Sequence, residues 1–314
     1  MNPYILPDGN VQIAFSGGRT SAYMLHHILE ANGGLPDRCV VSFQNTGREM
    51  PQTLDFVQEV GSRWGVDVVW LEYRPSEPFF ERVNYNNASR NGEPFERLIE
   101  KKKYLPNQQA RFCTIELKIR TAKRYLMSLG WKEWTNAIGI RADEQRRIKP
   151  EDDKMKDRWY TWQPLNHANV TRHMVVDWWR KQDFDLGLDA VNGNSALGNC
   201  DGCFLKSEAT LSMLARDYPD RHQWWQRMEE KAAALWTELT PVQRTKLQAR
   251  RLGKSEWLSL PKSARRKAIM TQSAARFRKE YSRAELASFV ERQGDWIFDT
   301  EGALCQADDG ECTG

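Results

Sequence analysis

Two groups of residues in this 314-residue chain have the types and spacing that chemistry requires: a short serine- and glycine-rich segment near the start and a set of cysteines. The segment 16–21 has the sequence Ser-Gly-Gly-Arg-Thr-Ser and lies between an apolar run and a segment of helical periodicity. Glycines let the backbone turn tightly and bring N–H groups close to an anion, and a helix N-terminus adds the positive end of its dipole. The pattern predicts a phosphate-binding loop, with a plain serine–glycine turn as the alternative.

The side chains of this loop suit the same interpretation. Its hydroxyls can donate hydrogen bonds to phosphate, and its arginine can neutralise phosphate charge. The spaced Gly-Lys-Ser/Thr of the Walker A loop is missing, so this is a different type of phosphate loop. The predicted nucleotide-binding residues here are Ser16, Gly17, Gly18, Arg19, Thr20 and Ser21.

The cysteines suggest a metal site. No run approaches the roughly 18–20 apolar residues of a membrane span and no signal peptide precedes the first strand, so we expect a cytoplasmic protein whose six cysteines serve metal or catalytic sites. Cys200 and Cys203 form a C-x-x-C pair in a glycine-rich turn, where two thiolates can face one metal. Cys113 is a third candidate ligand, and Cys39 lies inside a predicted strand as a core residue. A redox C-x-x-C without metal is an alternative.

The elements that must position these groups alternate between strand and helix. Apolar runs predict strands at 11–15, 39–43, 66–71 and 135–140, and helical periodicity lies at 22–29, 52–64 and 121–129. This order predicts an α/β fold in which a parallel sheet carries helices on both faces, with ligands beyond the carboxyl ends of the strands. We expect an α/β nucleotide-binding domain over 1–180. A mainly helical C-terminal region follows over 181–314, with the C-x-x-C segment, basic helices and an acidic tail.

Further segments complete a recognisable series. Residues 45–53 (NTGREMPQT), 139–147 (GIRADEQRR), 160–178 and 197–203 (LGNCDGC) follow the loop in that order. Together with the loop they resemble the phosphoadenylyl-sulfate (PAPS) reductase-like family of the PP-loop ATP pyrophosphatase, or adenine nucleotide alpha-hydrolase, superfamily. The resemblance implies ATP or phosphoadenylyl sulfate as nucleotide, and Mg²⁺ could accompany it. The further nucleotide-binding residues that it implies are Asn45, Thr46, Gly47, Gly139, Arg141, Asp143, Arg146 and Arg147.

The resemblance also implies a cofactor and a nucleophile. In adenylyl-sulfate reductases of this family a cysteine pair and a C-x-x-C hold a [4Fe–4S] cluster, and Phe112 stands here in place of the first cysteine of the pair. The predicted ligands are therefore Cys113, Cys200, Cys203 and, from the tail, Cys305, with Cys312 as the alternative fourth ligand. Zinc is the alternative metal. The terminal Glu-Cys-Thr-Gly resembles the mobile end of the reductases, whose cysteine attacks sulfur, so Cys312 is the candidate catalytic residue.

Charge is distributed unevenly along the chain. Residues 241–280 contain twelve Lys or Arg against two acids, and residues 295–314 contain six acids and no base. Cations interleaved with Trp257 and Phe277 could attract a nucleic acid and stack on its bases. The alternative is a solvated helix surface whose apolar residues face the core.

Three functions remain open from the sequence. The leading hypothesis is a PAPS reductase-like enzyme of sulfur metabolism beside an iron–sulfur cluster, with a thiol protein as electron or sulfur donor. The second is ATP-dependent adenylation and sulfur insertion into tRNA or DNA. The third is a non-catalytic nucleotide-binding accessory protein of a mobile-element or defence complex. The sequence gives no oligomeric state.

Overall fold

The computed structural model describes residues 2–148, 157–191, 194–270 and 275–293. Its first half is built on a six-stranded sheet. The strands are β1 (Val11–Ala14), β2 (Cys39–Asn45), β3 (Val68–Tyr73), β4 (Phe80–Val83), β5 (Trp134–Ala137) and β6 (Trp159–Trp162). The short pair β7 (Ala190–Val191) and β8 (Asn194–Ser195) forms a separate antiparallel ribbon.

The order of strands in the main sheet is β4-β3-β2-β1-β5-β6. All neighbours are parallel except β4, which pairs antiparallel with β3 at one edge. The α/β prediction is therefore confirmed, while the purely parallel sheet is corrected to a mixed one. Glu81 and Arg82 occupy the middle of β4 and are solvent-exposed, which is typical of a short edge strand. Because of these two charged residues, β4 does not form an apolar run that could be recognised in the sequence.

Helices fill the connections and the C-terminal region. They are α1 (Arg19–Asn32), α2 (Pro51–Trp64), α3 (Glu93–Lys102), α4 (Thr121–Ser128), α5 (Pro164–His167), α6 (Arg172–Trp179), α7 (Glu208–Asp217), α8 (Pro219–Thr237), α9 (Pro241–Leu252), α10 (Lys254–Ser259), α11 (Lys262–Met270) and α12 (Arg283–Gln293). A π-helical turn over Thr114–Arg120 runs directly into α4. Every helix predicted from periodicity is present, with ends shifted by a few residues.

The sheet has a core on each face because successive side chains of a strand point to opposite sides. On one face, Val69 and Leu71 of β3 pack with Tyr125 and Leu126 of α4. Trp70, between them, belongs to the larger cluster that includes the buried faces of α1 and α2. Helices on both faces of the sheet are thus confirmed.

The larger core continues into the helical region. Phe95 of α3 contacts the rings of Trp224 and Trp225 of α8, with ring centroids 5.7 and 5.6 Å apart. The division near residue 180 stays a prediction. No helix of the described residues is both long and apolar enough to cross a bilayer.

The basic segment 241–280 contributes aromatic rings to this core. Trp257 is 7% exposed and Phe277 is 1% exposed, so neither ring is available to stack on a nucleic-acid base. Phe277 instead packs edge-on against Trp225, with centroids 5.0 Å apart. The two aromatic side chains are therefore buried, as the alternative interpretation of the sequence expects, whereas Val242 and Leu258 of the same segment are exposed.

Candidate functional site

The segment 16–18 forms a closed turn between β1 and α1. The hydroxyl oxygen of Ser21 accepts the Ser16 backbone N–H at 3.2 Å and lies 3.0 Å from the Ser16 hydroxyl oxygen. The Ser21 hydroxyl also lies 3.0 Å from the carbonyl oxygen of Gly18. These bonds tie the turn to the first turn of α1, so that backbone N–H groups and a helix N-terminus are presented together, as an anion site requires.

Gly17 is required by both its conformation and its surroundings. Its φ of +78° is a left-handed value that residues with a Cβ rarely adopt. A Cβ on Gly17 would also lie 2.8 Å from Cγ2 of Thr53 and 3.0 Å from Cγ2 of Val57, both on α2. The loop is therefore seated directly on α2, which follows β2.

The segment after β5 supports the same loop. Arg141 is 2% exposed, and its Nη1 donates to the hydroxyl oxygen of Thr20 at 3.0 Å. Its Nε donates to Oδ1 of Asp143, also at 3.0 Å. Gly139 lies against Ser21, since a Cβ built on it would be 3.5 Å from the Ser21 Cα. The predicted loop and the predicted GIRADEQRR segment are therefore neighbours.

The other ionisable groups of that segment form a small network. Glu144 is buried and accepts the Arg141 backbone N–H at 2.8 Å, and Arg147 pairs with the same carboxylate. Burial raises the pKa of Asp143, but the Arg172 backbone N–H and the charge of Arg141 outweigh it and leave that pKa lowered. Arg146 is solvent-exposed. Contact of these residues with a nucleotide stays a prediction.

Arg19 has an acidic partner that the sequence does not reveal. Its Nε donates to Oδ1 of Asp185 at 2.6 Å, and its Nη2 pairs with the other carboxylate oxygen. Its Nη1 donates to the Ser195 hydroxyl oxygen at 2.9 Å. The predicted phosphate ligand is thus held by the segment before the C-x-x-C, and 166 residues separate the two partners in the chain.

Asn45, at the end of β2, lies beside a buried carboxylate. Its Nδ2 donates to Oε1 of Glu72 at 2.7 Å, and its Oδ1 accepts the Gly47 N–H at 3.1 Å. A second buried carboxylate at this position would repel Glu72, whereas an amide donates to it. Gly47 has φ +78° and a Cβ on it would lie 2.9 Å from the backbone nitrogen of Gly92, so it too must lack a side chain.

Three predicted metal ligands line one small cavity. Cys113, Cys200 and Cys203 surround a space of about 30 Å³, together with Thr46, Lys118 and Lys206. Cys113 lies just before the π-helical turn, and the other two lie on the turn after β8. Cys113 and the C-x-x-C, which are 87 residues and more apart in the chain, are therefore brought together, and their binding of a metal stays a prediction. Cys39 lies in β2, half-buried against the main core.

The cavity adjoins the segment after β2, which leads into α2, the helix on which Gly17 lies. The Thr46 hydroxyl oxygen lies 3.3 Å from the Cys200 sulfur and 2.9 Å from both carboxylate oxygens of Glu49. Glu49 and Cys200 also pair as an isolated antiparallel β-bridge. Burial raises the pKa of the Cys200 thiol, and the nearby Glu49 charge adds to the increase. Cys200 is therefore kept as a thiol unless a metal binds it.

Asp201, between the two cysteines of the pair, anchors their turn. This carboxylate is fully buried and accepts Arg48 Nη2 at 2.8 Å, Trp225 Nε1 at 2.8 Å and the Gly202 N–H at 2.7 Å. Arg221 pairs with it as well. Asp201 is not among the residues predicted from the sequence, although a carboxylate inside a C-x-x-C is a visible signal.

The donor set suits a metal that prefers thiolates. Four thiolates at about 2.3 Å from a zinc ion lie about 3.8 Å from one another. Among the described residues, the ligand atoms of His26, His27 and Glu30 all lie within 4.8 Å of one another. The sulfurs of Cys113, Cys200 and Cys203 do not form such a group, so at least two of them are more than 4.8 Å apart. A cluster, whose cysteines bind different irons, accommodates such spacing. The present cavity is small for one, so side chains must move to admit it. Cys305 and Cys312 lie outside the described residues.

Known proteins match more than half of this chain. The family described as "Phosphoadenosine phosphosulfate reductase domain" matches residues 10–186. The "Uncharacterized nin region protein ORF290" of Escherichia phage lambda is 30% identical over 215 residues, which are 65% of this chain and 69% of that protein. The PAPS reductase of Candida auris, in its phosphate complex, matches with 16% identity and a TM-score of 0.39 over 58% of this chain and 79% of the solved one. By its sequence match, this chain belongs to the phosphoadenosine phosphosulfate reductase domain family.

Proposed function

We propose that this protein is a PAPS reductase-like enzyme of sulfur metabolism, with the nucleotide at loop 16–21 and sulfur chemistry beside a cysteine-held metal centre. The observation that carries the proposal is the shared position of the two sites. Thr46, one residue beyond β2, contacts Cys200 at 3.3 Å, and β2 pairs with β1, which leads into the loop. A nucleotide with its phosphates at the loop would have its far end directed along this sheet edge.

The loop supplies phosphate binding. The N–H groups of Gly17 and Gly18 and the Ser16 hydroxyl would be the donors to an adenine nucleotide's phosphates, while the Ser16 N–H and the Ser21 hydroxyl hold the turn closed. Arg141 would support phosphate binding indirectly, because its hydrogen bond holds Thr20 in place. The Arg19–Asp185 pair closes the loop from the other side, so phosphate contact by Arg19 requires that pair to open.

The reaction we propose is a two-electron reduction of a sulfated nucleotide. The thiolate of Cys312 attacks the sulfonate sulfur, the S–O bond to the nucleotide breaks, and the nucleotide leaves with that electron pair. The sulfonate remains on the cysteine sulfur. A dithiol donor protein then displaces it as sulfite, restores the Cys312 thiol and becomes a disulfide.

Cys113, Cys200 and Cys203 would hold the metal group, with Cys305 as the fourth ligand. A [4Fe–4S] cluster there would supply a redox-active centre next to the substrate's anionic end. The protein itself would fix the position of the cysteine turn. Asp201 holds the turn through Arg48 and Trp225. Lys206 donates to the carbonyl oxygens of Ala196 and Gly198 at 2.7 and 2.9 Å.

The first experiment measures sulfite release from phosphoadenylyl sulfate with a reduced thiol donor, in the wild type, Cys312→Ser and Cys39→Ser. We expect turnover in the wild type, loss in Cys312→Ser and full retention in the Cys39 variant, because Cys39 lies in β2 away from the cavity. Absence of sulfite from the wild type, with ATP-dependent pyrophosphate release on adding tRNA or DNA, would replace the reduction with thiolation. Nucleotide binding without either reaction would leave an accessory role.

A second experiment identifies the metal. Protein purified without oxygen is analysed for iron, sulfide and zinc, and its absorption spectrum is recorded. A cluster predicts about four iron and four sulfide per chain and a broad band near 400 nm. Cys200→Ser should lose the metal and Cys39→Ser should keep it. Stoichiometric zinc without iron would identify the cysteines as the ligands of a structural zinc site.

A further inference from the structure

A second cavity lies in the helical region, and none of its lining residues belongs to the loop or the cysteine site. It has a volume of about 480 Å³ and lies between α8, the end of α9 and residues 275–284. This is the size of a small-molecule site. Its walls include part of the basic segment that the proposed function leaves unused.

Arg251 is the buried cation of this cavity. It is 2% exposed, its Nη2 donates to the Arg276 carbonyl oxygen at 3.2 Å, and its Nε has no hydrogen-bond partner. Burial lowers the pKa of Arg251 to about 10, and no carboxylate of the described residues offsets that effect. A buried guanidinium without a counter-charge is costly, so its retention calls for a ligand that completes it.

Further cations lie at the cavity wall. Arg276, Arg278 and Lys279 line it together with the acids Glu229 and Glu230. Glu230 is solvent-exposed. Both carboxylate oxygens of Glu229 are engaged, since they accept the backbone N–H groups of Phe277 at 3.1 Å and Arg283 at 2.6 Å. Glu229 therefore fixes the segment that carries these cations. Arg276 and Lys279 pair with the exposed acids Glu285 at 3.4 Å and Glu256 at 3.5 Å, whereas Arg251 has no acidic partner among the described residues.

We propose that this cavity binds a phosphate group, with Arg251 as its buried contact and Arg276 and Lys279 at its entrance. The planar guanidinium offers paired donors that match phosphate oxygens. The group could belong to a small phosphate compound or to the 5′ end of a nucleic acid. The inference does not rest on the proposed function, because loop 16–21 shares no residue with this cavity.

The wall of this site is bonded to the cysteine turn. Arg278 Nε donates to the Phe204 carbonyl oxygen at 3.1 Å, and its Nη2 bonds to the carbonyl oxygen of Lys206. Arg283, whose N–H binds Glu229, donates through Nη2 to the Gly202 carbonyl oxygen at 2.7 Å. A ligand that orders residues 276–283 would therefore also steady the turn that bears Cys200 and Cys203.

The test counts phosphate sites by calorimetric titration of the full chain with inorganic phosphate. Arg251→Gln is compared with Arg250→Gln, its exposed neighbour on α9, and with Gly17→Ala, which disables the loop. Two sites are expected in the wild type and in Arg250→Gln, and one in each of the others. A single wild-type site that survives Gly17→Ala and vanishes in Arg251→Gln would support this inference and contradict the loop. Equal binding by Arg251→Gln and Arg250→Gln overturns the inference.

Two additions complete the experiment. The double variant Arg276→Gln/Lys279→Gln, at the cavity entrance, should weaken phosphate binding at this site about threefold to tenfold and flatten its salt dependence, because cations at an entrance act by screened attraction. If Arg251→Gln does not fold, unchanged affinity in the double variant overturns the proposal. A 5′-phosphorylated dinucleotide that binds more tightly than inorganic phosphate, through Arg251, identifies a nucleic-acid end; equal affinity identifies a free phosphate group.

Discussion

The hydroxyl oxygen of Thr46 lies 3.3 Å from the sulfur of Cys200 although 154 residues separate them in the chain. Thr46 ends the turn that begins with Asn45 of β2, and it also accepts the Arg48 N–H at 3.2 Å. The segment after β2 and the cysteine turn are therefore joined by a buried hydroxyl rather than by packing alone. A buried polar link of this kind is destabilising when one partner is removed.

Replacing this hydroxyl should loosen the joint. Thr46→Val keeps the shape and the bond from the backbone N–H of residue 46 to Glu49 Oε2 at 2.9 Å, but it removes the hydroxyl's bonds to Glu49 and to the Arg48 N–H. We expect the free energy of unfolding to fall by about 1–3 kcal/mol. Thr46→Ser retains the hydroxyl and should stay within about 0.5–1 kcal/mol of the wild type. Urea denaturation of the three proteins measures the difference. Equal stabilities of the valine and serine variants would show that the hydroxyl contributes nothing.

The sequence predicted the parts of the site that depend on local pattern. The strand, glycine turn and helix around Gly17 follow from residue type, and Cys113 meets the C-x-x-C as the family resemblance implied. It could not predict the Arg19–Asp185 pair, because a charge pair between distant segments leaves no periodic signal. The role of Trp257 depended in the same way on tertiary packing, since an amphipathic basic helix does not reveal which side its aromatic ring faces.

Gly17 provides a test of the loop with a matched control. Gly17 and Gly9 both have φ +78°, but a Cβ on Gly9 meets nothing within 4 Å, whereas one on Gly17 collides with Thr53 and Val57. Gly9→Ala should cost about 1–2 kcal/mol of stability through backbone strain and leave nucleotide affinity intact. Gly17→Ala should cost more and lower ATP affinity at least about tenfold, the equivalent of 1.4 kcal/mol. Calorimetric titration with ATP decides, and equal affinities would remove the loop as the nucleotide site.

His222 of α8 should make stability depend on pH. Burial lowers the pKa of His222 to about 4, against about 6.5 in an unfolded chain. The folded state thus favours the neutral ring, so its contribution is fully present above pH 6.5 and is lost as pH falls from 6.5 towards 4, in total on the order of 3 kcal/mol. His222→Gln should flatten the curve of unfolding free energy against pH in this window. The exposed His173→Gln is the control, and identical curves for the wild type and His222→Gln would contradict the assignment.

The Arg19–Asp185 pair should restrain the loop from binding phosphate. Burial raises the pKa of Asp185, but the hydrogen bond and charge of Arg19 outweigh it and keep that pKa low, so the pair persists at neutral pH and opens only as pH falls through the lowered value. Asp185→Asn removes the competing charge and should raise ATP affinity about two- to fivefold at neutral pH, the range expected for a partly exposed ion pair. Asp183→Asn, which breaks an exposed pair with Arg63 in the same segment, should leave the affinity unchanged. Arg19→Gln then decides the role of the arginine. Unchanged ATP affinity in Arg19→Gln would show that Arg19 only closes the loop and does not contact phosphate. A lower ATP affinity in Arg19→Gln, together with the higher affinity of Asp185→Asn, would make Arg19 a phosphate ligand whose binding is opposed by Asp185.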